Sequence, residues 1–334
     1  VADTAALLDD LRAEGDALDA LVAGLDSDQW ARPTPAAGWT IAHQIAHLAW
    51  TDDRATEAAT APEAFAREVE KSRAEPERFV AAGAEQGAAE PPAALLARWR
   101  AGRAALLDLL AAQPEGVKLP WYGPPMGAAS MATARLMETW AHGQDVADAL
   151  DVWRAPTARL RHVAHIGVRA RDYAYLVRQL PQPVEEFRVE LVAPGGTLWT
   201  YGPPGAAQRV TGRALDFCLL VTQRAHRDDL ALRAEGPDAR RWLEIAQAFA
   251  GPPGAGRPAG QRAAAATAGG SGGSSDRAVG QPTWPSADQP PAPDATQPAG
   301  RMAHEPALPP TTQPADRMPS PAATRPDGQE GAGA

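Results

Sequence analysis

The sequence predicts a helical bundle, a small α+β domain and then a disordered tail. Apolar residues recur three and four apart in successive segments before residue 155, and Pro- or Gly-containing breaks separate those segments. Strand-like alternation surfaces only around 185–201. Beyond about Gly251, Pro, Gly, Ala, Ser and Thr take over and large aliphatic residues almost vanish, so that this stretch cannot offset its ordering entropy by burial. The boundaries that follow are a bundle over 1–155, a linker helix with a small α+β domain over 156–256, and a disordered tail over 257–334.

Each element has its own signal. Leu7, Leu8, Leu11, Leu18, Leu21, Val22 and Leu25 mark an amphipathic helix over 4–25. "DSDQW" reads as a short capped turn, and "RPTPAAGW" as a connection ending at Thr40, a good N-cap. The next helix carries Ile41, Ile45 and Leu48 on one side and His43, His47 and Arg54 on an adjacent one. A Glu-rich stretch over 62–90 is predicted helical. Pro91 and Pro92 open a strong helix, "AALLARWRAGRAALLDLLAA", that stops before "QPEG". After the loop "VKLPWYGPPMGAA", Ser130 is the expected cap of a helix reaching Leu150. These four principal helices with short to moderate connections make a bundle. "PTARLRHVAHIGVRARDYAYLVRQ" predicts one more helix, with Pro156 near its start. "EEFRVELVAP", "GG" and "TLWTYGP" predict a hairpin, and "RALDFCLLVTQR" and "DARRWLEIAQAFAG" predict helices around a possible strand in "DLALRAEG".

Bulk properties narrow the function. A formal net charge of −9 disfavours nucleic acid and anionic membrane as partners. The single cysteine, Cys218, rules out an internal disulfide and a thiolate metal cage, and its apolar setting "LDFCLLV" predicts an inert core thiol. Without a basic start and apolar run, or any apolar stretch of roughly 18 residues, the expected location is cytoplasmic.

One stretch carries chemistry. In "LMETWAHGQDV", Glu138 and His142 stand four apart, on one helix face and about one turn along the axis, so both can reach one ion. His43 and His47 repeat the spacing on another predicted helix. Taken alone, Glu followed by a basic residue at i+4 is also an ordinary stabilising pair on an exposed face.

"DSDQWARPTPAAGWTIAHQIAHLAW" followed by "RLMETWAHGQDVADAL" resembles the metal-binding domain of the mycothiol-dependent maleylpyruvate isomerases, among the DinB-like four-helix bundles. The resemblance spans roughly residues 5–155 and rests on Trp39-Thr40 before a helix, on "AHL" at 46–48, and on E-x-x-x-H with Asp145 following. It implies that His47, Glu138 and His142 are the metal ligands. His43 falls where that pattern varies and is expected to support the site from behind or face solvent, with a fourth ligand as the remaining alternative. Asp52 and Asp145 are expected either to orient the ligand imidazoles or to be ordinary helix-surface charges. The region 185–256 is similar to the C-terminal domain of an actinobacterial branch of these proteins and to a module labelled with wyosine-base formation. The radical chemistry of that label would need a cysteine trio, and this chain has one cysteine.

The implied function follows from the ligand set. Two histidines and one glutamate leave a coordination position open, and zinc is the favoured ion, with nickel, iron and manganese as alternatives. In the related enzymes the open position takes the thiol of a low-molecular-weight thiol, mycothiol, as thiolate, for isomerisation or S-transfer on an electrophilic small molecule. The alternatives are a metal-containing ligand-binding module without catalysis, or a hydrolase that activates water. Arg135, three before Glu138, either holds a carboxylate of thiol or substrate or pairs with Glu138 or Asp145.

Overall fold

The structure, a computed structural model, describes residues 4–74, 76–251, 253–254 and 256–261. Most of the segment read as a disordered tail, 262–334, therefore lies outside the described residues.

The first half is helical. It comprises α1 (Thr4–Val22), α2 (Ser27–Trp30), α3 (Ile41–Thr60), α4 (Pro62–Ala74), α5 (Pro76–Ala88), α6 (Pro92–Ala111) and α7 (Ala128–Ala149). The "DSDQW" turn is α2, closed by a capping box in which the Asp26 carboxylate accepts from Gln29 N at 2.8 Å and Gln29 Oε1 accepts from Asp26 N at 3.0 Å. Thr40 is the N-cap of α3, as its sequence context predicts. The Glu-rich stretch divides into α4 and α5, the second opened by Pro76, whose fixed φ and missing N–H suit a first helical turn. Ser130 is not the cap of α7. A two-residue strand pair, β1 (Lys118–Leu119) with β2 (Met126–Gly127), runs straight into the helix, and extended Gly127 is the N-cap, which leaves Ser130 inside the first turn.

Helices α1, α3, α6 and α7 form the bundle. Helix α1 lies along α7, and α3 packs on both α6 and α7, while α4 and α5 flank α3. Ile41, Ile45, Leu48, Leu95, Trp99 and Met131 are fully buried between them. Each such side chain contributes roughly 1.5–3 kcal/mol of burial.

The expected helix after Pro156 is shorter and broken. It starts beyond the proline and divides at Ala170 into α8 (Leu160–Arg169) and α9 (Arg171–Leu176). A sheet of order β4-β3-β5-β6 follows. In it β3 (Phe187–Val192) and β4 (Leu198–Tyr201) are the predicted hairpin. The Ala193 N to Thr197 O bond of 2.8 Å closes it around Pro194, Gly195 and Gly196, the last at φ 82°, so the turn is one residue longer than "GG". Strand β5 (Gln208–Arg213) pairs parallel with β3 and had no place in the sequence reading. Its inward residues are Gln208, Val210 and Gly212, only one of them a large apolar residue, so period-two alternation is invisible. Helix α10 (Ala214–Val221), strand β6 (Arg233–Glu235, antiparallel to β5) and α11 (Pro237–Ile245) complete the described fold.

One buried apolar cluster runs from Leu7, Leu106 and Met137 in the bundle to Leu160, Val189, Phe217 and Trp242. Cys218 lies within it, wholly buried, and burial pushes its thiol well above the usual range. Among the described residues no helix is long and apolar enough to cross a membrane.

Candidate metal centre

Two neighbouring helices each contribute a polar stripe to the bundle interior. On α7, Arg135, Glu138 and His142 are spaced three and four apart and so share one face. On α3, Gln44, His47 and Thr51 do the same. Packing of α3 on α7 brings the two stripes together.

His47, Glu138 and His142 converge. One ligand atom from each lies within 4.8 Å of the others. The same carboxylate oxygen, Glu138 Oε2, is 3.3 Å from His47 Nε2 and 3.2 Å from His142 Nε2. The two imidazole rings are 4.5 Å apart, and Trp39 flanks both, at 5.4 Å from His47 and stacked on His142 at 6.0 Å. Ligands held at roughly 2.1 Å from a tetrahedral ion stand about 3.4 Å from one another. The two measured separations match that edge, so the donors fit a small divalent ion in both chemistry and spacing.

Electrostatics suits the same reading. Burial by itself would raise the Glu138 carboxyl, but the His142 and His47 imidazoles against it and the Arg135 charge outweigh burial and hold the group well below its ordinary range. Burial, together with the charge of His47, lowers His142 to about 4. At neutral pH the carboxylate is thus ionised and His142 is a neutral imidazole, the forms in which both bind metal. His47 Nδ1 is buried and has no hydrogen-bond partner.

The surrounding residues divide into those that face this centre and those that do not. Arg135, 4% exposed, lies between Glu138 Oε1 (Nη2 at 3.8 Å) and Asp52 Oδ1 (Nη1 at 4.0 Å), with Trp121 against its guanidinium at 6.0 Å. Its Nε and Nη1 make no hydrogen bond. Asp52 therefore meets the arginine and not an imidazole. Burial outweighs the Arg135 charge and raises its carboxyl to about 7. His43 turns back to its helix start: its Nδ1 lies 2.8 Å from Thr40 Oγ1 and accepts from Thr40 N at 3.3 Å. Asp145 is paired away from the centre, with Arg224 at 2.7 Å and Arg257 at 2.8 Å. Arg54 is engaged by Glu57 at 2.6 Å, and Trp140 is a core side chain.

Gln44 is the residue that the sequence reading missed. It is fully buried, and its Oε1 lies 2.5 Å from His142 Nδ1. The available signal was a polar side chain inside the stripe of Ile41, Ile45 and Leu48, one turn before His47.

Comparison with known proteins gives two family models, two relatives and two solved structures. A family model described as the mycothiol maleylpyruvate isomerase N-terminal domain matches residues 11–147. A model described as wyosine base formation matches residues 183–235. Proteins from two strains of Mycobacterium tuberculosis, both described as uncharacterized, are 59% identical over 257 residues, covering 77% of this chain and 100% of theirs. Crystal structures of the mycothiol-dependent maleylpyruvate isomerase and of a histidine-to-alanine mutant align with a TM-score of 0.46 at 18% and 17% identity, covering 70% of this chain and 95% of theirs.

Proposed function

Because the chain belongs to the family of these mycobacterial proteins and its own residues 11–147 match the mycothiol maleylpyruvate isomerase N-terminal domain, we propose that it is a divalent-metal enzyme using a low-molecular-weight thiol, with mycothiol as the cofactor. The supporting observation is the convergence of His47, Glu138 and His142 on one interior point, with the carboxylate oxygen shared at 3.3 and 3.2 Å. These three would hold the ion, with zinc the best fit to two imidazoles and one carboxylate. Bound there, the ion would keep the cofactor's thiol deprotonated at neutral pH, as a nucleophile for isomerisation or S-transfer on an electrophilic small molecule.

The chain's own groups fill the other roles. Arg135 presents buried N–H donors without partners beside Glu138 and is suited to hold a carboxylate of thiol or substrate. Trp39 lies against both imidazoles and is placed to wall one side of the site. Cys218 cannot replace the external thiol, because it is buried among apolar side chains with its thiol held protonated. The division into a bundle, a small α+β domain and a tail belongs to the same proposal, with the tail's start moved beyond Gly260, because Arg257 is buried against Asp145 and Asp148 and Gly260 N donates to Asp229.

Metal analysis of the purified chain beside His47→Ala and Glu138→Ala is the direct test. The expected result is close to one divalent ion per chain in the wild type and loss of nearly all of it in either variant. Equal metal in all three proteins, or none in any, would overturn the assignment. Turnover of a Michael acceptor that depends on added mycothiol then separates this reading from metal-dependent hydrolysis.

A further inference from the structure

We infer that Gln44 is a positioning residue that sets the tautomer of His142, leaving Nε2 as the lone pair that faces Glu138. The inference rests on the metal-site reading only for its consequence, not for its geometry.

The polarity of the chain of contacts can be followed atom by atom from a group with no choice. The backbone carbonyl of Trp39 can only accept, and Thr34 Oγ1 lies 2.9 Å from it, so the single hydroxyl proton of Thr34 is committed there. The Gln44 amide approaches the same hydroxyl at 2.8 Å. With its proton spent, Thr34 Oγ1 can only accept from Gln44, so the amide must present its NH2 group. Gln44 Oε1 is thereby turned to His142 Nδ1, at 2.5 Å. An amide oxygen accepts only, and Nδ1 must carry the proton. A neutral ring has one N–H, so Nε2 is left with its lone pair directed at Glu138 Oε2, 3.2 Å away.

Two acceptors then face each other in the bundle interior. A cation between them resolves that opposition, and the relay ensures that His142 meets it with the ligating nitrogen already unprotonated. Gln44 is fully buried, and Thr34 closes a short segment through Thr34 N to Trp39 O at 2.8 Å, so the relay is anchored to backbone at its far end. His47 has no equivalent, since its Nδ1 lacks a partner. The relay thus makes His142 the preorganised imidazole of the pair.

Long-range 1H–15N correlation spectra of the metal-free full chain distinguish the two tautomers directly, because the protonated and unprotonated ring nitrogens resonate far apart. The wild type should show His142 with its proton on Nδ1. Gln44→Met, of similar volume and without an acceptor oxygen, should move the proton towards Nε2 and weaken Zn2+ binding by about 10–100-fold. Gln44→Glu, which keeps the acceptor, should retain Nδ1–H. Thr34→Val, outside the core, leaves Gln44 free to flip its amide and should give a mixture of tautomers, and it guards against a folding defect in Gln44→Met. A wild-type His142 protonated on Nε2, or the same tautomer in wild type, Gln44→Met and Thr34→Val, would overturn the inference. Should the wild type show the Nδ1–H form and Gln44→Met lose it while neither binds Zn2+, the relay stands and the metal reading falls.

Discussion

Two buried polar regions of this molecule differ in how completely their groups are paired. Where α1 and α7 meet the segments after residue 150, carboxylates and guanidinium groups are closely matched. Glu14, 1% exposed, takes Arg154 on one oxygen and Arg159 on the other at 2.7 Å. Asp145 takes Arg224 at 2.7 Å and Arg257 at 2.8 Å, and Asp148 takes Arg257 at 2.5 Å. At the centre, by contrast, Glu138, His47, His142, Arg135 and Asp52 stand 3.2 to 4.0 Å apart, and His47 Nδ1 and Arg135 Nε and Nη1 have no hydrogen-bond partner. Leaving a buried polar group unsatisfied costs about 1–3 kcal/mol, a cost that the proposed ligand would offset at this centre. The first region is complete as protein; the second is the one where the metal site is proposed.

Breaking the finished region should cost stability and spare the centre. Glu14→Gln leaves two partly buried guanidinium groups without their shared charge, and the expected loss is about 3–5 kcal/mol in urea unfolding. Metal content of the folded variant should equal the wild type. A loss below about 1 kcal/mol would show that the arginines find other partners and that the pairing is not structural.

Asp145→Asn tests the same idea in a residue that the sequence left open between orienting a ligand imidazole and ordinary helix-surface charge. The expected loss is smaller, about 2–3 kcal/mol, since Arg257 keeps Asp148 and Arg224 also donates to Thr222 O. Burial opposes ionisation of Asp145, yet Arg224, His142 and Arg257 hold its carboxyl below the ordinary value of 3.8. An acid with a lowered folded pKa contributes stability above its unfolded pKa and loses it as pH falls through the folded one. The wild-type advantage over Asp145→Asn should therefore be constant near neutrality and shrink below about pH 4. If metal affinity, and not stability, changes in this variant, Asp145 belongs to the centre after all.

What was legible in the sequence follows the same divide. Helix periodicity placed Glu138 and His142 on one face, and a resemblance supplied His47, because ligands within one turn of a helix leave a local pattern. The pairing of Asp145 left no such trace: its partners Arg224 and Arg257 lie 79 and 112 residues away, and an aspartate three after a histidine reads equally well as support for it. His43 repeated the four-residue spacing yet serves the helix start, where a ring nitrogen beside Thr40 takes the place of a capping carboxamide. Gln44 was passed over because a single buried amide has no period. Strand β5 was hidden for a related reason, its inward positions being Gln208, Val210 and Gly212.

The last expected effect is a pH slope and comes from Asp52, the one carboxylate of the centre whose pKa stands above its ordinary value. Its folded pKa of about 7 stands above the ordinary 3.8, so between these values the unfolded chain ionises while the folded one stays protonated. The unfolded state then binds fewer protons, and the contribution of Asp52 to stability falls as pH rises through this window and levels off above about 7. Asp52→Asn has no proton to release and removes that slope. For metal-free protein, the stability of Asp52→Asn relative to wild type should therefore improve from about pH 4 to about pH 7 and then stay flat. Parallel pH profiles for wild type and variant would mean that Arg135, at 4.0 Å, already neutralises Asp52 as completely as the arginines at the junction neutralise Glu14, and the contrast between the two regions would narrow to the imidazoles alone.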